Sequence, residues 1–148
     1  MRVLGIDYGQ RRIGLALSDA TGMLARPWKV VPRQGNPSQV VSQLASMIRD
    51  LSHEDDGLAA VVMGLPRRLD GSPTDVTATV QAIGAGLAKA IAVPVTFQDE
   101  RLSSREAESL LARRLKDWRD RKALLDAAAA AVILQDYLDG RPREDSVL

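Results

Sequence analysis

The chain has 148 residues, 45% of them apolar, 26% charged and 3% aromatic, with no cysteine and a formal net charge of +1. That length suits one domain, and the apolar fraction supports a packed core rather than a disordered chain. The missing cysteines exclude a disulfide framework, a thiolate metal site and a thiol nucleophile; with His53 the only histidine, any bound metal must be held mostly by oxygen, as Mg²⁺ or Mn²⁺ are. The chain enters directly into Val3–Asp7 with no cleavable leader pattern, and its longest apolar run, residues 127–134, is too short to span a bilayer. A soluble, cytoplasmic protein is expected.

In chain order, residues 2–7 form a short apolar strand, Tyr8–Arg12 a turn and residues 13–18 a second strand, together a hairpin. Residues 23–31 make a third strand. Pro37 opens a helix in which Val40, Val41, Leu44, Met47, Ile48 and Leu51 recur at helical spacing. Leu58–Met63 is a buried strand ending at Gly64. Residues 75–91 are a helix with Val76, Val80, Ile83 and Leu87 on one stripe. Residues 92–98 are a strand whose Pro94 argues for a sheet edge. Ser103 and Glu106 form a capping box for a helix to about Leu115. A basic link around Trp118 follows, then a last helix from about Arg121 to Leu138. Residues 1–139 read as one domain and 140–148 as a short tail after a glycine stop. A three-strand meander followed by two helical crossovers gives an α/β fold, one mixed sheet with helices on its faces.

Three acidic positions look misplaced. Asp126 is the only charge among residues 123–134, which are otherwise apolar on every side of a helix and therefore buried. A desolvated carboxylate there needs a metal, an arginine or a cap to offset several kcal/mol. Asp7 closes an apolar strand between Gly5 and Gly9, where a ligand has room to approach. Asp99 and Glu100 follow the strand at 92–98; adjacent residues on an extended chain point to opposite faces, so at most one serves a given site. Each alone has an ordinary reading as an ion pair, a turn or a solvated strand exit. Together, at strand ends and a helix sharing one crevice, they would repel one another unless cations intervene. Two divalent ions would neutralise them and act on a phosphodiester, one activating water and the other stabilising the leaving oxygen.

The basic residues are unevenly spread: residues 1–33 and 101–122 each carry a net +4. Arg67 and Arg68 lie in the Gly64–Thr74 loop between strand and helix, a location that favours phosphate although no Walker A pattern is present. Residues 113–122 hold six basic and two acidic residues around Trp118, suited to a nucleic-acid backbone. A charged surface segment is the ordinary alternative for both. The run His53–Gly57 reads as a solvated loop. Ser18 and Ser103–Ser104 have no neighbouring histidine base, which excludes a serine triad.

The segment Gly5-Ile6-Asp7-Tyr8-Gly9-Gln10-Arg11-Arg12-Ile13-Gly14-Leu15-Ala16, with Ser18-Asp19, resembles the opening of the YqgF family, also called RuvX. Gly64-Leu65-Pro66 with Asp70-Gly71-Ser72 is similar to its central motif, and Asp99-Glu100-Arg101-Leu102-Ser103-Ser104 to its acid-Arg motif. Lys122, Asp126, Ala128-Ala129 and Ile133-Leu134 resemble its C-terminal helix. The resemblance runs in order over residues 3 to about 138. It implies a ribonuclease H-like fold with a five-stranded sheet in order 3-2-1-4-5. It further implies Asp7, Glu100 and Asp126 as catalytic metal ligands for Mg²⁺ or Mn²⁺, two ions in the active complex, with Asp99 the competing second ligand. Nucleic-acid contacts are expected from Arg11, Arg12, Arg67, Arg68, Arg101, Arg113, Arg114, Lys116, Arg119 and Lys122. The implied activity is hydrolysis of phosphodiesters in structured nucleic acid, foremost 5′-end processing of the 16S rRNA precursor. Its partners would be pre-rRNA or branched DNA and ribosomal precursor particles, with no membrane; monomer and homodimer both stay open. The first alternative is a Holliday junction resolvase. Two further ones are an inert RNA-binding module and a nucleotide-binding relative of actin and sugar kinases, which share the Gly-Ile-Asp-x-Gly opening but need a second lobe.

Overall fold

Large and small side chains alternate along the first two strands, and this decides how the molecule layers. The computed structural model describes residues 1–68, 70–99 and 118–141, with the side chains of 118–124 excepted. In β1 (Arg2–Tyr8) alternation sends Leu4, Ile6 and Tyr8 to one face and Val3, Gly5 and Asp7 to the other. β2 (Arg12–Ser18) pairs antiparallel with it, Ile6 opposite Leu15, Gly5 opposite Ala16 and Asp7 opposite Gly14. One face is therefore bulky and the other is nearly flat.

The chain continues through β3 (Ala25–Pro32), α1 (Pro37–His53), β4 (Leu58–Leu65), α2 (Thr77–Ala90), β5 (Val95–Asp99) and α3 (Trp118–Gly140). The sheet order is β3-β2-β1-β4-β5, with β1, β4 and β5 parallel and β2 and β3 antiparallel. Topology, strand order and the edge position of the Pro94-led strand are as expected from the sequence. α1 and α2 pack together on the bulky face, where Leu4, Ile6, Ile13, Leu15 and Met63 meet Leu44, Ile48, Ile83 and Leu87. Each such side chain contributes about 1.5–3 kcal/mol on burial. α3 crosses the flat face, covering Val3, Ala16 and Val62 with Ala130, Ala131, Ile133 and Leu134.

Pro37 does open α1. Asn36 Oδ1 accepts from the Gln39 N–H at 3.0 Å, and Gln39 Oε1 accepts from the Asn36 N–H at 2.7 Å, a reciprocal capping box. Several element boundaries differ from the sequence reading, β3 for instance starting at Ala25 rather than 23 and β4 running to Leu65 rather than Met63, and the starts of α2, β5 and α3 differ as well. α2 starts at Thr77 rather than 75, because Thr74 Oγ1 accepts from the Val76 N–H and the Thr77 hydroxyl donates to the Pro66 carbonyl, which holds this stretch as a turn. β5 starts at Val95, since Pro94 has no N–H for the ladder; its carbonyl accepts from the Val61 N–H at 2.9 Å. α3 already includes Trp118–Asp120, ahead of the expected Arg121, and neither Gly nor Pro interrupts residues 118–121. The helix expected from Ser103 to about Leu115, and residues 142–148 of the tail, lie outside the described residues. Arg141 is anchored: its Nη2 donates to the Gly22 carbonyl at 2.9 Å and its guanidinium covers Tyr137. Among the described residues, no helix is long and apolar enough to cross a membrane.

Candidate active site

Because β1, β4 and β5 are parallel, their carboxyl ends share one edge of the sheet, the edge at which ligands bind in open α/β folds. Asp7 stands at that edge on the flat face. Its cross-strand partner is Gly14. A Cβ placed on Gly14 would run into the Asp126 carbonyl and come within 2.9 Å of the Ala127 nitrogen. The main chain of α3 thus rests directly on β2, one strand away from Asp7. Gly5 does the same one turn further on, where an added Cβ would lie 2.8 Å from Leu134 Cβ and 3.0 Å from the Ala130 carbonyl. Gln135 fixes the other end of the helix: its Oε1 accepts from the Ala25 N–H at 2.9 Å and its Nε2 donates to the Met23 carbonyl at 3.0 Å. Two strand glycines and a terminal amide bridge therefore set the height and register of α3, and with them the position of Asp126.

The sequence left three ways to compensate Asp126, and the structure uses arginine. Arg12 Nε lies 2.9 Å from Asp126 Oδ2, with side-chain exposures of 64% and 34%. The carboxylate is accordingly half-exposed, at the rim of the apolar helix rather than inside its core. A guanidinium already sits where a cation is electrostatically favourable, and the donors at this edge are carboxylate oxygens, which suit a hard divalent ion. Among the described residues no group of three or more acidic or histidine side chains stands close enough to hold a metal. Glu100 lies outside the described residues.

Asp99 stands on the other face of the sheet from Asp7. Leu65 pairs with Asp99 and Met63 with Phe97, so both β5 residues share the bulky face with Leu65 and Met63. Phe97 confirms the parity, because its ring fills the space over Gly84 of α2. Asp7 lies on the opposite face.

The expected phosphate contacts separate into groups. Arg11 is exposed beside the site edge, and Arg12 carries the ion pair just described. Arg67 Nη1 donates to the Gly71 carbonyl at 3.0 Å and so folds back on its own loop, whereas Arg68 is exposed. Arg119 and Lys122 lie in the first turns of α3. Arg101, Arg113, Arg114 and Lys116 lie outside the described residues. The His53–Gly57 loop is solvated as expected: residues 53–56 are exposed, and Glu54 Oε2 pairs with Arg2 Nη2 at 2.6 Å at the surface. Buried Ser18 is structural: its hydroxyl accepts from the Val3 N–H at 2.8 Å and donates to the Asp19 carbonyl. The sequence reading assigned no role to Gly14, although a glycine inside a strand is itself a signal of close backbone approach.

Among the described residues, the strand order, a long helix on the flat face and carboxylates at the shared strand ends define the ribonuclease H-like class. The fold is similar to that of Thermus thermophilus RuvC, with a TM-score of 0.57 and 18% identity over 94% of this chain and 97% of that one. Residues 1–140 match the family model described as "RuvX: Holliday junction resolvase", and the chain belongs to that family. A relative from Anaeromyxobacter sp. (strain Fw109-5), named "Putative pre-16S rRNA nuclease", is 42% identical over 95% of this chain and 98% of its own length. Another of that name, from Pelotomaculum thermopropionicum, is 36% identical over 99% of this chain and 93% of its own.

Proposed function

We propose that this protein is a divalent-metal-dependent nuclease of structured nucleic acid whose principal substrate is the 5′ end of the 16S rRNA precursor. The observation that carries this reading is the seating of the Asp126 main chain on Gly14, the cross-strand partner of Asp7. It gives two carboxylates, distant in the chain, a common origin at one edge of the sheet. Asp7, Asp126 and Glu100 would hold the metal, and exclusion of Asp99 by strand parity supports Glu100 as the third. A bound divalent ion supplies hydroxide near neutral pH and neutralises charge on the phosphodiester. Arg12 pairs with the Asp126 carboxylate and orients it. Arg11 and Arg68 present exposed positive charge to the backbone of the substrate on either side of the site edge. The RNA substrate follows from the names of the relatives.

Cleavage of four-way DNA junctions is a second reading, favoured by the description of the family. One experiment separates them: the purified chain is incubated with 5′-extended 16S precursor RNA and with a four-way junction, in Mg²⁺, Mn²⁺ or EDTA. Metal-dependent cutting of the RNA, lost in Asp126→Asn, is the expected result. Cutting of the junction alone supports the second reading, and no cutting of either in any metal contradicts both.

A further inference from the structure

On the bulky face, back to back with Asp7, a cavity of about 600 Å³ opens at the same edge of the sheet. Its walls include Tyr8, Arg11, Arg33, Asp75, Val76 and Thr79. The volume lies in the range of sites that hold small ligands. Two arginines face one carboxylate here, and among the described residues neither arginine makes an ion pair within 4 Å. Arg33 is held in place without being neutralised. Its Nη1 donates to the Gly9 carbonyl at 3.2 Å, its backbone N–H donates to the Arg11 carbonyl at 2.9 Å, and its guanidinium lies 5.1 Å from the centre of the Tyr8 ring. A guanidinium carries five N–H donors, so most of them remain for a ligand. The first turn of α2 borders the same space with no side-chain cap and no acidic residue, unlike α1, whose first turn is closed by its capping box. Positive charge here thus exceeds the single carboxylate, Asp75, that the wall supplies.

We propose that this cavity binds a nucleoside 5′-phosphate, with Arg11 and Arg33 on the phosphate and the remaining volume taken by the nucleoside. The choice of a nucleotide among phosphate ligands rests on the nuclease reading above; the arginine pair and the cavity do not. The phosphate can belong to the end of a substrate strand or to a free nucleotide.

The test is calorimetric titration of the metal-free protein, in EDTA, with uridine 5′-monophosphate and with uridine. Without metal no cleavage takes place, so this binding succeeds or fails separately from the nuclease reading. Wild-type protein is expected to bind the monophosphate at least ~10-fold more tightly than the nucleoside, the size of a charge-assisted hydrogen bond. Arg33→Gln and Thr79→Glu should each weaken monophosphate binding about 10-fold. Thr79→Glu guards against misfolding as an explanation, because an acidic residue at the third position of α2 favours the helix while filling the anion site. Displacement of the monophosphate by a short 5′-phosphorylated oligonucleotide, and not by its 5′-hydroxyl counterpart, assigns the site to a strand end. Displacement by neither assigns it to a free nucleotide. Equal binding of uridine and its monophosphate, monophosphate binding untouched by both substitutions, or equal displacement by the two oligonucleotides overturns the proposal.

Discussion

The two faces of the sheet solve different problems. The α1/α2 face is filled by Leu4, Ile6, Ile13, Leu15, Met63, Leu44 and Ile48, whose bulk keeps helices and strands a full side-chain layer apart. The α3 face replaces that layer with Gly5, Gly14, Ala16 and a run of alanines from Ala127 to Ala131, so that helix backbone touches strand backbone. Dense packing of large side chains makes stability; close approach of bare backbone makes position. An Asp on a helix held by large, deformable contacts could shift by an ångström, whereas one seated on Gly14 cannot move inward at all.

Substitutions on the two faces should therefore fail differently. The largest effect is expected at the site itself. Asp7→Asn and Asp126→Asn should each lower single-turnover cleavage on the order of 10⁴-fold, as for members of a catalytic group that acts as a unit, with the unfolding midpoint in urea nearly unchanged. Next, Gly14→Ala would force α3 away from β2 and misplace Asp126, with a loss of about 10²-fold in cleavage and about 1–3 kcal/mol in stability. Its counterpart on the bulky face is Leu44→Ala. That substitution should cost about 2–5 kcal/mol, measured by urea denaturation, yet leave cleavage per folded molecule within a few-fold of wild type. If Leu44→Ala impairs cleavage as severely as Gly14→Ala, the division between the faces does not hold.

Smaller effects sharpen the same picture. Arg12 and Asp126 form a largely exposed pair, so Arg12→Gln should change stability by less than ~1 kcal/mol. It should raise the affinity for Mn²⁺, because the carboxylate no longer exchanges a guanidinium for the ion, and lower the affinity for RNA. Titration of Mn²⁺ by paramagnetic relaxation checks the first, and filter binding the second. The smallest effect lies far from the site, in the β2–β3 turn. The Asp19 carboxylate accepts from the Thr21 hydroxyl at 2.7 Å and from the Met23 and Leu24 N–H groups at 2.9 and 3.2 Å. These bonds, the hydroxyl first, lower its pKa to about 2. A carboxyl held below its unfolded value stabilises the fold above that value, and this contribution disappears as pH falls from about 4 towards 2. Asp19→Ala should flatten the acid limb of the stability profile in that window.

Much of this was legible in the residues. The apolar run at residues 2–7, the helical spacing from Val40 to Leu51 and the crossover order lead to the mixed sheet, and Pro94 marked its edge. Asp126 stood out because a lone charge in an apolar helix needs an explanation. Which partner it takes was not legible: Arg12 is 114 residues away in sequence, and the ion pair exists only because Gly14 lets α3 settle beside the first turn. The choice between Asp99 and Glu100 was likewise undecidable from the chain alone, since alternation excludes one of two neighbours without saying which. Pairing of β5 with β4 and the packing of Phe97 on Gly84 give the face of Asp99 alone. The cavity beside Tyr8 escaped notice for a similar reason, as Arg11, Arg33 and Thr79 come from separate elements and no local pattern joins them.

Anomalous diffraction from crystals grown with Mn²⁺ tests the shared origin of the two carboxylates most directly. A manganese peak with oxygens of both Asp7 and Asp126 at about 2.1 Å, the distance of a tightly held octahedral ion, and lost in Gly14→Ala crystals, is the expected result. A peak bound through only one of the two, or the same paired coordination retained in Gly14→Ala, would contradict it.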